Sequence, residues 1–190
     1  MNHANQRYGK VAQTFHWITA LLVVAAFTLG PEGSELRVYA PEAAFQRQLH
    51  ETLGSCIFAL SLMRVLWVLV DRQRPQAPTT VRWMALAAKS MQGLIYVLLF
   101  AVPLTAVLGA WLQGHPVTLL AGLEIAPLFA KSNDLGRTLV KIHKLLGDSI
   151  LWLAGLHAAA ALFHHFFLRD HVLVSMLPRW LAPERRDQAV

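Results

Sequence analysis

Cysteine is almost absent from this sequence: Cys56 is the only one in 190 residues. A single thiol excludes an intrachain disulfide and any cysteine-built metal site. Its place inside an apolar run suits inert packing. Charge is scarce too, at 15% of residues, and acidic charge scarcer still, with 11 Asp and Glu against 17 Lys and Arg. A chain that is 55% hydrophobic, with mean hydropathy +0.43 and clustered apolar runs, reads as a small integral membrane protein rather than a soluble domain. The net charge of +6 does not argue for nucleic acid, because the basic residues punctuate the apolar runs and form no basic domain. No low-complexity stretch occurs. No clear small-x-small cleavage site follows the first apolar run, so it is expected to remain as a helix.

What is present is four apolar segments, each long enough to cross a bilayer, which takes about 20 helical residues. They are expected at about 11–30, 49–70, 90–112 and 141–168, within a single transmembrane domain covering 1–190. The fold class is therefore all-α, an integral membrane four-helix bundle. Pro31 to Gln48 reads as a surface loop with room for a short helix, and Pro75 and Pro78 stop the second segment. Pro103 is expected to kink the third segment without ending it, since neighbouring helices can satisfy the freed carbonyl. Residues 113–140 read as a long loop. The tail, 169–190, suits a position along the membrane surface with Trp180 at headgroup level. Arg7, Lys10, Arg64, Arg72, Arg74, Arg82, Lys89, Arg169, Arg179, Arg185 and Arg186 fall on one side of the bilayer. Arg37, Arg47, Lys131, Arg137, Lys141 and Lys144 fall on the other. The excess of positive charge places both termini in the cytoplasm.

The fourth segment carries four histidines, His143, His157, His164 and His165. His143 and His157 are fourteen residues apart, which returns to nearly the same helix face and moves about 21 Å along the axis. Ionisable side chains inside a span default to a functional reading. Two imidazoles at two depths suit two metal centres, with haem iron the leading candidate because imidazole is a common axial ligand. Hydrogen bonding between helices is the competing reading. Depth then pairs the remaining histidines. His16 lies fourteen residues before Gly30 at the outer end of the first segment, level with His157, and His50 opens the second segment level with His143. His164 and His165 fall at the inner headgroups, about 32 and 33 Å from His143. The pattern H-x-x-L-G-x-x-I occurs at His50–Ile57 and again at His143–Ile150. It sets Gly54 and Gly147 one turn beyond each histidine, where a flat macrocycle would need a small residue. Close helix packing is the other use of such glycines.

F-H-W at Phe15–Trp17, His50 at the head of the second segment, the run H-x13-H-A-A-A-A-L-x-H-H from His143 and the tail R-D-H-V-L-V-S-M-L-P from Arg169 together resemble the bacterial cytochrome b561 family. The resemblance covers nearly the whole chain. It implies a four-helix protein of the cytoplasmic membrane with two b-type haems held by His16, His50, His143 and His157. It also implies electron exchange with the ubiquinone pool; one member of that family oxidises superoxide at the periplasmic face and reduces ubiquinone. The lysines beside His143, His115 in the loop and Ser175 in the tail depart from the family's pattern and bear on the substrate. Lys141 and Lys144, with Lys131 and Arg137, surround the outer site and suit haem propionates, lipid phosphate or the focusing of a small anion such as superoxide. His115 is either a solvated loop residue or one that folds over the outer haem. The expected function is a dihaem electron carrier in contact with lipid, ubiquinone and a small anionic donor. A relay serving a separate redox partner protein is the alternative, and a haem-free transporter the third.

Overall fold

The computed structural model describes residues 7–71, 81–120, 122–178 and 180–181. Four helices in it are long and apolar enough to cross a membrane. The first, α1, is Lys10–Thr28. A short α2, Glu35–Val38, and a 3-10 turn, Pro41–Ala43, lead into α3, Ala44–Val70. The third span is α4, Arg82–Leu112, which runs through Pro103 without a break. A two-residue hairpin follows, β1 (Val117–Thr118) antiparallel to β2 (Glu124–Ile125) with Val117 opposite Ile125. The last span is α5, Asn133–Phe163, continued by a π-helical turn, His164–Leu168, and then by α6, Val172–Met176. Helix α1 packs on α3, α3 on α4, α4 on α5 and α5 on α1, which closes the bundle.

Three spans begin earlier than their apolar runs. Helix α3 starts at Ala44, α4 at Arg82 and α5 at Asn133, so His50 and His143 lie inside their helices rather than at the ends. A helix needs apolar residues only where it meets lipid or core. Pro41 opens the 3-10 turn that leads directly into α3, a first-turn position that suits its fixed φ. Met84, Ala85, Leu86 and Ala87 are strong helix formers in α4, and Asp134 in the first turn of α5 complements the helix dipole. The stretch 133–140 also packs, through Gly136, directly on α4. A Cβ on Gly136 would lie 3.0 Å from the Gln113 nitrogen and from the Gly109 oxygen. Pro75, Pro78, Arg72, Arg74, Arg179, Arg185 and Arg186 lie outside the described residues.

At the middle of the bundle Ala26, Ile57, Leu98, Leu99 and Ile150 form a buried aliphatic cluster, flanked by Leu53 and Leu146. The H-x-x-L-G-x-x-I pattern explains this: its leucine and isoleucine face inward on both helices. The start of α1 and the end of α6 meet on one side. Tyr8 N–H and the Gln13 side chain each donate to Ser175 O at 3.1 Å, and Trp17 Nε1 donates to Met176 O at 2.9 Å. The start of the tail is thus tied to α1, while Trp180 is exposed.

Candidate functional site

Ile150 stands seven residues after His143 and seven before His157, about 10 Å from each along the axis. The aliphatic cluster therefore separates two levels of the bundle, and each level holds a facing pair of imidazoles. His50 of α3 and His143 of α5 have ring centres 6.0 Å apart. His16 of α1 and His157 of α5 have ring centres 6.4 Å apart. The structure thus brings together the same histidines that depth had matched.

The outer pair is held by backbone. His50 Nδ1–H donates to Ala26 O at 2.9 Å, and His143 Nδ1–H donates to Val102 O at 2.9 Å. A carbonyl only accepts, so Nδ1 carries the proton and Nε2 keeps its lone pair in the neutral ring. Ala26 O is available because α1 ends two residues later and its last carbonyls lack partners within the helix. Gly30 makes the approach possible: a Cβ there would lie 3.4 Å from His50 Nδ1. At the inner pair Arg64 donates to His16 Nδ1 over a long 3.5 Å, and its guanidinium lies 5.3 Å from the centre of the Tyr96 ring. None of the described hydrogen bonds joins His16 or His157 to a carbonyl.

The residues present fit a metal that brings its own equatorial ligands. Two imidazoles sharing one metal have ring centres about 6 Å apart, from two bonds of about 2 Å and roughly 1 Å from each nitrogen to its ring centre. Among the described residues no group of three or more His, Cys, Asp or Glu could hold a bare ion. Gly54 and Gly147 are not packing glycines, because a Cβ on either meets no atom within 4 Å. The close approach of α4 and α5 rests instead on Gly109 and Gly136. Space beside both helices is therefore left one turn beyond His50 and His143.

A cap covers the outer level. Thr118 N–H donates to Glu51 Oε2 at 2.6 Å and Leu120 N–H to Thr52 Oγ1 at 3.0 Å, which pins the hairpin next to His50. His115 is no free loop residue: it stacks on Tyr39 with ring centres 3.5 Å apart and pairs with Glu35 at 3.2 Å. Arg47 lies over the Tyr39 ring and pairs with Glu51. Burial, followed by the charge of Glu51, pushes the Tyr39 hydroxyl up to about 12. Lys141 and Lys144 are exposed beside this level. Glu35, Tyr39 and Gly30 carried no signal in the sequence. Arg64 did, as a charge within an apolar run, although it entered only the count of topological charges. His164 and His165 lie apart from both pairs, beyond the end of α5.

A family model described as prokaryotic cytochrome b561 matches residues 7–179. The chain belongs to that family. It is 30% identical over 178 residues to the probable superoxide oxidase CybB of Yersinia pestis, covering 92% of this chain and 98% of that protein. It is 27% identical over 172 residues to cytochrome b561 homolog 2 of Escherichia coli (strain K12), covering 90% and 92%. It is likewise 27% identical over 176 residues to cytochrome b562 of Cereibacter sphaeroides, covering 90% and 94%. As a member of the cytochrome b561 family the chain is a multi-pass electron carrier of the bacterial inner membrane that binds b-type haem. That leaves no support for a haem-free transporter.

Proposed function

We propose that this cytochrome b561 carries electrons between a small donor at the outer face and the ubiquinone pool, with two b-type haems bound between His50 and His143 and between His16 and His157. The observation that carries the reading is the pair of facing imidazole couples, at 6.0 and 6.4 Å, on either side of a buried aliphatic cluster. Bound b-type haem supplies a one-electron centre tuned by its axial ligands and surroundings. The chain supplies the rest. His50 and His143 offer Nε2, while their Nδ1–H bonds to carbonyls fix the tautomer and raise ligand basicity. A haem held by both imidazoles of a pair would exchange electrons without binding the donor, so the redox step at the outer face would need no acid or base from the chain. Gly54 and Gly147 leave room for a flat ring beside α3 and α5. Exposed Lys141 and Lys144 face the donor or hold propionates. The excess of basic residues on the opposite side makes that side cytoplasmic.

Superoxide is the donor this reading favours. Each superoxide loses one electron to become dioxygen, and two such electrons with two protons convert ubiquinone to ubiquinol. Support comes from the basic outer surface and from the Yersinia pestis relative, named a probable superoxide oxidase. A second reading, a relay for a separate dehydrogenase or reductase, keeps support from relatives whose names state a cytochrome and no substrate. The test is stopped-flow reduction of the purified, haem-loaded protein by superoxide, followed by assay of ubiquinol. Fast haem reduction with ubiquinol formation is expected. No reaction with superoxide, together with rapid reduction by a partner dehydrogenase, would select the relay.

A further inference from the structure

The stretch after α4 is more than a connecting loop: its hairpin folds back toward the bilayer. Strand β1 is buried against α3 and α4, while β2 lies outside it with both residues exposed. The open end of the hairpin is fixed high on α4, where Trp111 Nε1 donates to Ile125 O at 3.3 Å and the Trp111 ring lies 6.0 Å from that of Phe129. Trp111 stands nine residues beyond Val102, whose carbonyl holds His143, so it is about 13 Å further out than the outer histidine pair. The turn is fixed lower. Leu119 N–H donates to Leu123 O at 2.9 Å and Gly122 N–H to Leu119 O at 2.8 Å, with Gly122 at φ 76°. Leu120 N–H then reaches Thr52 Oγ1 at 3.0 Å, two residues inward of His50 on α3. The hairpin thus runs along the bundle with its turn toward the membrane.

Depth and chemistry together say what meets it. Thr52 lies about 27 Å from Val70 at the inner end of α3, and the hydrocarbon core of a bilayer is about 30 Å thick. The turn therefore reaches the outer boundary of the hydrocarbon, and the strands rise from it through the headgroup layer. At that level Leu120, Leu123 and Ile125 are 42%, 58% and 41% exposed. Between Gln113 and Lys131 the only acidic or basic residue besides His115 is Glu124. A carboxylate and the open backbone edge of β2 both stay hydrated among headgroups and would not in hydrocarbon, which limits how far the hairpin enters. Trp111 beside it is the residue type that favours this interface. We propose that the outer leaflet of the bilayer covers the exposed face of this hairpin, with Leu120, Leu123 and Ile125 seated among the lipids. The occupant is lipid rather than a second protein, because the apolar face continues the lipid-facing surface of the spans at the same depth. Thr118 of β1 is bonded to Glu51, next to His50, so the membrane itself holds the cap over the outer histidine pair.

The test places an environment-sensitive nitrobenzoxadiazole label on Leu123→Cys, in full-length protein whose exposed native thiol is removed by Cys56→Ser. The haem-loaded protein sits in lipid nanodiscs, one chain per disc, with Glu42→Cys as the water-exposed reference on the same side. The label on Leu123→Cys is expected to lose most of its emission to lipids carrying a nitroxide near the headgroup, less to lipids carrying it near the chain end, and little to iodide in the water. The Glu42→Cys label should show the reverse preference for iodide. Wild-type haem content checks the fold of each variant; if Leu123→Cys lacks it, Leu120→Cys carries the same label. Strong iodide quenching equal to that of Glu42→Cys, without quenching by nitroxide lipid, would overturn the proposal and leave the hairpin in water. A label shielded from both quenchers would overturn it too, since protein and not lipid would then cover the face.

Discussion

The imidazole of His50 has two nitrogens, and the fold engages one of them: Nδ1–H is held by Ala26 O, 2.9 Å away, which leaves the Nε2 lone pair free, and the ring of His143 is centred 6.0 Å from its own. His143 repeats the arrangement with Val102 O. A histidine present only to bond between helices would need no second imidazole 6.0 Å away. Replacing either member by alanine should therefore remove one and the same haem. His50→Ala and His143→Ala are expected to give matching spectra that lack the outer haem, and His16→Ala and His157→Ala spectra that lack the inner one. Pyridine haemochrome assay and low-temperature absorption measure this, and different spectra within a pair would break the assignment. The intact protein should show two haems b per chain, low-spin in both redox states. Arg64 adds a residue-level prediction. A guanidinium beside His16 and over Tyr96 favours the electron-rich state of the inner site, so Arg64→Leu should lower its reduction potential in redox titration and leave the outer one near wild type.

At the scale of the helix, glycines fall into two groups. Gly109 and Gly136 lie where α4 and α5 touch, and a Cβ on Gly109 would meet Val140 at 3.0 Å. Gly54 and Gly147 face open space. Gly136→Ala should force the two helices apart and destabilise the bundle by about 1–3 kcal/mol, the cost of overpacking. Gly54→Leu, at a position where a Cβ meets no atom within 4 Å, should leave the apoprotein as stable as wild type while lowering haem content. Thermal melts with and without haem separate the two classes, and equal loss of apoprotein stability in both would remove the distinction. The four spans were legible in the sequence because about 20 apolar residues in a row leave few alternatives. The histidine pairs were legible because helix rise converts spacing into depth. Helix starts at Ala44, Arg82 and Asn133 were not, since those turns are polar and hydropathy reports lipid contact rather than helicity. Nor was the cap built from Glu35, Tyr39 and His115, because His115 meets Glu35 from 80 residues away and no periodicity encodes such a contact.

At the scale of the whole molecule, the two membrane faces differ in what their charges do. On the outer face Arg137 lies 3.8 Å from Glu35 and Arg47 pairs with Glu51, which offsets part of the positive charge there. Lys141 and Lys144 stand exposed on α5 on either side of His143, a placement that positive-inside topology disfavours. Such charges either draw in an anionic donor or hold haem propionates or lipid phosphate. The two uses differ in range. Steering acts through a field that salt screens within about 8 Å at physiological ionic strength, whereas a propionate contact acts at hydrogen-bond distance and shows in haem content. Replacing both lysines by glutamine should slow haem reduction by superoxide about tenfold at low salt, the lower end of electrostatic steering. Added salt should slow the wild type toward the double variant, with haem content equal in both proteins. A fast wild-type rate that ignores salt and is matched by the double variant would return these lysines to lipid. A double variant short of one haem would make them propionate partners, with the donor then reaching the outer face by diffusion alone.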